Sequence, residues 1–88
     1  MMSEETREHR LKRLHMRSIR RGIKEMDLIL TGFSNAALAD LTPAELDLYE
    51  GLLEENDHDL YGWVSGQLAT PDHYLALITK IAMIHKAA

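Results

Sequence analysis

Nowhere in this chain do apolar and polar residues alternate over the length of a strand. Apolar residues return instead at steps of three and four, the spacing that lines one face of an α-helix. Ile23, Met26, Leu30, Phe33 and Ala37 form one such series. Leu46, Tyr49 and Leu53 form another, and Tyr74, Leu77, Ile78, Ile81 and His85 a third. Both prolines and three of the five glycines fall outside these series, and the gaps that remain are only a few residues long. Short gaps between helices place them antiparallel and side by side. The expected fold is therefore all-α, a compact five-helix bundle. At 88 residues there is room for a single small domain. It is expected to cover residues 6–86, behind a flexible N-terminus at residues 1–5.

The helix boundaries follow from local chemistry. The first helix is expected from about Thr6 to Arg20, with a thin apolar line of Leu11, Leu14 and Ile19, and Gly22 interrupts or ends it. The second spans about Ile23 to Ala37. The third has a complete start signal: Thr42 as N-cap, Pro43 in the first turn and Glu45 to close a capping box. It runs to about Glu54. The fourth is short, from Asp57 as cap to about Ser65, with Leu60, Trp63 and Val64 directed to the core and Tyr61 elsewhere. The fifth begins after Thr70-Pro71.

Composition removes several function classes. Cysteine is absent, which excludes disulfides, thiolate metal sites and cysteine nucleophiles and suits a reducing compartment. The apolar runs, such as Ile81 to Ile84, are too short to cross a membrane. The N-terminus has neither a secretory pattern nor the acid-free start of a mitochondrial transit peptide, so a cytoplasmic location is expected. None of the histidines His9, His15, His58, His73 and His85 shares a metal-binding helical spacing, and no metal is expected. His15 is expected on the surface and His85 at the edge of the bundle. No phosphate-binding glycine loop, nucleophile elbow or paired catalytic carboxylates stand out, so the chain does not read as an enzyme.

Charge is distributed unevenly. Residues 1–24 hold eight of the ten lysines and arginines, whereas eleven of the fourteen acids lie beyond them. Such polarity suggests a charged partner surface. Nucleic acid is a poor candidate, because the cations of the first helix look spread around it, no aromatic residue interleaves with them, and the acidic remainder repels phosphate.

The densest group of charges is Arg20-Arg21-Gly22-Ile23-Lys24-Glu25-Met26-Asp27. Two readings fit it. In one, Gly22 marks a helix break, with Arg21 at the negative end of one helix and Glu25 in the first turn of the next. In the other, the missing side chain at Gly22 lets a partner's backbone approach between a guanidinium and a carboxylate.

Arg21-Gly22-x-x-Glu25 resembles the Arg-Gly-x-x-Glu signature of the succinate dehydrogenase assembly factor 2 family, the flavinylation factors. Some thirty residues later, Leu52-Leu53-Glu54-x-x-Asp57-x-Asp59-Leu60-Tyr61-x-Trp63 is similar to the family's second stretch. His58 stands where that stretch usually has proline. Gly62 stands where a polar residue is common, and it is expected to loosen the fourth helix. The resemblance covers roughly residues 10–85. It implies a non-catalytic, chaperone-like monomer that docks on the flavoprotein subunit of succinate dehydrogenase, and of fumarate reductase in bacteria, and promotes covalent attachment of FAD. FAD would be carried by the partner and not bound tightly by this chain. The residues implied at the interface are Arg21, Gly22 and Glu25, with Arg20, Lys24 and Asp27 at its rim and Tyr61 as a further contact. The alternative, from another class, is a regulatory module, antitoxin-like or nucleic-acid-binding, since some bacterial members have been read as the antitoxin of a toxin–antitoxin pair.

Overall fold

The structure is a computed structural model and describes residues 5–87. The described part consists of five α-helices: α1 (Arg7–Ser18), α2 (Lys24–Ala37), α3 (Pro43–Leu52), α4 (Asp57–Ser65) and α5 (Leu75–Ala87). One 3-10 turn, Leu38–Asp40, extends α2, and another, Asp72–Tyr74, leads into α5. Among the described residues there is no strand, as the three- and four-residue spacing requires. Of the flexible stretch expected at residues 1–5, all but Glu5 lies outside the described residues, and Glu5 itself pairs with Arg13.

The helix starts follow their capping chemistry. Thr6 accepts a hydrogen bond from the His9 N–H, and Thr42 with Glu45 forms the full reciprocal box. The start of α4 differs from expectation. Asn56, not Asp57, is the cap: its side-chain oxygen accepts from the His58 N–H at 2.8 Å. Asn and Asp are equally good caps, so the first of the two takes that place and Asp57 becomes the first residue of the helix.

α2 is the central element and packs against α1, α4 and α5. Its buried face, Met26, Ile29, Leu30 and Phe33, is the core of the molecule together with Leu14, Leu46, Tyr49, Leu52, Leu60, Leu77, Ile78 and Ile81. Burying each of these side chains contributes about 1.5–3 kcal/mol, and this face makes α2 the fixed frame for whatever adjoins it. Phe33 and Tyr49 meet as a tilted aromatic pair at 5.4 Å. Trp63 is not a core residue. It lies half-buried at the edge, packed on Tyr74 at 5.7 Å, while Leu60 fills the interior.

Gly62 does not loosen α4. The chain reverses after α4 through Gly66, in the left-handed region at φ +85°, and Leu68 returns its N–H to the Gly62 carbonyl. The Leu68 side chain then lies over Gly62, where an added Cβ would stand 2.4 Å from Leu68 Cδ1. A glycine here creates the seat for that leucine.

The basic character of α1 is explained by the fold. Arg10, Arg13 and Arg17 occur at steps of three and four on one helix, and Asp47, Glu50 and Glu54 occur at the same steps on and just beyond another. The two rows face each other. Arg10 pairs with Asp47 at 2.6 Å and with Glu50, Arg13 pairs with Glu50 at 2.9 Å, and Arg17 pairs with Glu54. Arg7 donates to the Ala39 and Leu41 carbonyls. The cations of α1 are thus not scattered around the helix; most share the face turned to α3. Arg13 holds the Glu50 carboxyl below its ordinary pKa, mainly through its hydrogen bond. Each exposed pair contributes only about 0.2–1 kcal/mol, but as a ladder they set how α1 lies against α3.

Candidate functional site

The charged group at Arg20 to Asp27 is a helix break. α1 ends at Ser18, and α2 starts at Lys24 after the extended Ile23, which offers no side-chain cap. Arg20 between them has φ 58°, a left-handed conformation that is uncommon for a residue with a side chain. Two carboxylates hold the linker in this shape. Asp27 Oδ1 accepts from the Arg20 N–H at 3.0 Å and from Thr31 Oγ1 at 3.2 Å. Asp57, from the start of α4, accepts from the Gly22 N–H through Oδ2 at 2.7 Å.

Arg21 is turned inward. Its Nε and Nη2 donate to Asp57 Oδ1 at 2.9 and 2.7 Å, Nη2 also donates to the Leu53 carbonyl, and Nη1 donates to the Arg17 carbonyl. The guanidinium therefore lies at the negative ends of α1 and α3, and the carboxylate it meets lies at the positive end of α4. Both placements are favourable in the helix dipoles. The two side chains are only 12% and 15% exposed.

The neighbours of Arg21 point outward. Arg20, Gly22, Lys24 and Glu25 are exposed, and the side chains of Arg20, Lys24 and Glu25 form no hydrogen bond or ion pair among the described residues. Asp27 is half-buried by its own bonds. The surface of the linker and of the first turn of α2 thus carries, among the described residues, two unpaired cations and one unpaired carboxylate around an exposed glycine. A Cβ at Gly22 would stand 3.2 Å from Asp57 Oδ2, so even a small side chain crowds the carboxylate that holds the loop. Tyr61 lies apart from this group. It is four residues beyond Asp57 on α4, half-buried against the core.

Further along the exposed side of α2, Leu28 is 64% exposed. It borders a shallow apolar cleft of about 380 Å³, lined by Leu28, Gly32, Phe33, Ile84 and His85 between α2 and α5. On the other side of α2, His15 is not a plain surface residue. It is half-buried, with Nδ1 2.6 Å from Ser34 Oγ. Among the described residues no group of three histidines or acids is placed to hold a metal ion, and no helix is long and apolar enough to cross a membrane.

The role of Asp57 as a tie was not visible in the sequence, where it read as a helix cap. The available signal was the pair Asn56-Asp57: with one residue enough to cap, the other is free. The two stretches that carry the family resemblance, around Arg21 and around Asp57, meet at this one contact.

Both stretches lie within a match to a known family. The family described as "Flavinator of succinate dehydrogenase" matches residues 12–86. The chain belongs to this family. Similar proteins include succinate dehydrogenase assembly factor 2-B, mitochondrial, of Drosophila mojavensis, 36% identical over 93% of this chain and 54% of the relative. The assembly factor 2 of Schizosaccharomyces japonicus is 40% identical over 83% of this chain and 51% of its own length. That of Scheffersomyces stipitis is 46% identical over 69% of this chain and 41% of its own. This chain thus spans about half the length of the flavinator relatives it matches. Their names assign them to mitochondria and to succinate dehydrogenase assembly.

Proposed function

We propose that this chain binds the flavoprotein subunit of succinate dehydrogenase and promotes covalent attachment of FAD to it, with the flavoprotein of fumarate reductase as a second client. Membership of the flavinator family supports the general role. The observation that carries the reading is the loop itself: among the described residues Arg20, Lys24 and Glu25 are exposed with unpaired side chains around Gly22, on a linker and first helical turn held by Asp27 and Asp57. Pre-formed polar groups on a fixed loop lose little freedom on docking, which is what makes them effective contacts.

The role is non-catalytic. Covalent flavinylation joins a partner histidine to the flavin, and the flavin supplies the reactivity. This chain's residues act on the partner's conformation. Glu25 accepts from a donor near the flavin site, Arg20 and Lys24 meet acidic groups or carbonyls at the rim, and Gly22 lets the partner backbone come close. By binding one arrangement of the flavoprotein more tightly than others, the chain raises the population in which histidine and flavin are aligned and water is excluded. It works as a monomer in the cytoplasm, and FAD stays with the partner. Two features weigh against the nucleic-acid alternative: most cations of α1 are neutralised by α3, and of the basic half only Arg7, Lys12, Arg20 and Lys24 remain exposed without an ion pair among the described residues, Arg7 being engaged by backbone carbonyls.

The test is covalent flavin in cells lacking the gene, read as in-gel fluorescence of the denatured flavoprotein. Loss of signal, restored by the wild-type gene and not by Glu25→Ala, is expected. An undiminished signal for both flavoproteins in the deletion strain contradicts the proposal.

A further inference from the structure

We infer that Asp57 is a positioning residue for docking, and that Arg21 acts through it rather than by touching the partner. This rests on the proposed docking of the motif loop on a flavoprotein. Three observations carry it. First, the Arg21 donors are directed to groups of this chain, at Asp57, Leu53 and Arg17, and the side chain is 12% exposed. Little of it is left for a partner. Second, Asp57 serves the loop in two ways at once. One oxygen accepts from Arg21 and the other from the Gly22 N–H. Asn56 has already capped α4, so Asp57 is not needed for that purpose. Third, this pair differs in kind from the ladder between α1 and α3. There the acids Asp47, Glu50 and Glu54 are 73%, 35% and 71% exposed, whereas Asp57 is 15% exposed. A two-oxygen carboxylate that receives both a guanidinium and a backbone N–H fixes orientation as well as distance.

The loop needs such a device. Arg20 is held in the left-handed region, and Ile23 gives α2 no side-chain cap. Without Asp57 the Gly22 N–H exchanges its protein acceptor for water and the loop relaxes. Arg20, Lys24 and Glu25 then lose the arrangement in which they face outward together. Arg21, Gly22 and Asp57 are thus one unit: guanidinium, seat and carboxylate. Gly22 leaves Asp57 Oδ2 in place, where a Cβ 3.2 Å away would push it aside by a few tenths of an ångström. The direct contacts are left to Arg20, Lys24 and Glu25.

The test uses the full chain with Asp57→Asn, Arg21→Lys and the double variant. Asparagine keeps one acceptor but presents an NH2 to whichever donor its oxygen does not serve. Lysine keeps the charge but cannot reach Asp57, Leu53 and Arg17 together. Amide NMR spectra of the free chain give the structural readout, and Kd for the purified apo-flavoprotein gives the functional one. The expected result is amide shifts at the substituted position and its immediate neighbours, further shifts with faster exchange across residues 19–23, and the rest of the core unchanged. Each single variant should bind about tenfold more weakly, and the double variant no more weakly than the worse single one, as for two halves of one contact. Losses that multiply in the double variant would place Arg21 on the partner and overturn the inference. So would wild-type affinity in variants whose loop amides have shifted, or unshifted loop amides in both single variants. If the wild-type chain itself fails to bind either flavoprotein, the proposed function falls and this inference falls with it.

Discussion

Tyr49→Phe tests whether the interior beneath the motif loop is arranged as described. Ser18 is the last residue of α1, immediately before the linker, and it is completely buried. Its hydroxyl donates to the Leu14 carbonyl at 2.8 Å, so the buried Tyr49 hydroxyl, 2.5 Å away, donates to Ser18 Oγ. Phenylalanine removes that bond and leaves Ser18 its own donation, a loss of about 1 kcal/mol at neutral pH. Alkali reverses the comparison. Burial pushes the Tyr49 hydroxyl up to about 12, partly opposed by the Ser18 hydroxyl, which can turn to donate to the phenolate once it forms, and by the nearby Arg21 charge. The unfolded chain releases this proton near pH 10. The stability held by the neutral phenol is therefore complete below about pH 10 and is lost as pH rises towards 12. At pH 11, one unit into that window, the wild type is expected to have lost about 1.4 kcal/mol that the phenylalanine variant does not lose. Urea unfolding followed by circular dichroism at pH 7.5 and pH 11 measures the difference. Wild type should lead by about 1 kcal/mol at the lower pH and trail slightly at the higher. A difference between the two proteins that does not change with pH would refute a buried, neutral Tyr49.

Other predictions follow from the same geometry. Arg20→Gly relieves the left-handed backbone and should raise stability by about 0.5–1 kcal/mol while weakening flavoprotein binding; a destabilised variant would show that Arg20 is not strained. Thr42→Ala removes half of the capping box and should lower stability by about 1 kcal/mol in urea unfolding, with flavinylation unchanged because Thr42 caps the start of α3, whereas the loop meets this helix only at its other end, at the Leu53 carbonyl. Acid should loosen α1 from α3. Glu50 is held below its ordinary value by Arg13, so its contribution is present above the usual carboxylate range and is lost as pH falls through its lowered folded-state value. Glu50→Gln should flatten that acid limb, and an unchanged acid unfolding curve would contradict the ladder.

The fold was legible because helical periodicity is a property of sequence alone. The series from Ile23 to Ala37 and from Leu46 to Leu53 became buried faces, and Thr42-Pro43-x-Glu45 became the box it spells. What pairs with what was less legible, since that depends on which helices meet. The equal spacing of Arg10, Arg13, Arg17 and of Asp47, Glu50, Glu54 is visible in the sequence, yet it acquires meaning only once α1 lies along α3. The polarity that suggested a charged partner is largely consumed inside the chain. In the site, the break at Gly22 and the dipole placement of Arg21 were legible. The inward turn of Arg21 was not, because its acceptor lies 36 residues away. Asn56 and Asp57 could each cap α4, and only the tertiary contact with Gly22 and Arg21 decides between them. Trp63 and His15 were misplaced for the same reason: their burial depends on Tyr74 and Ser34, on other elements.

The central claim is tested most directly by reconstitution. Purified succinate dehydrogenase apo-flavoprotein, FAD and this chain are combined, and covalent flavin is followed by fluorescence of the denatured subunit over time. The account predicts that the wild-type chain accelerates covalent attachment, and that folded Glu25→Ala and Gly22→Arg variants do not. Equal rates with and without the chain, or full acceleration by either variant, would contradict it.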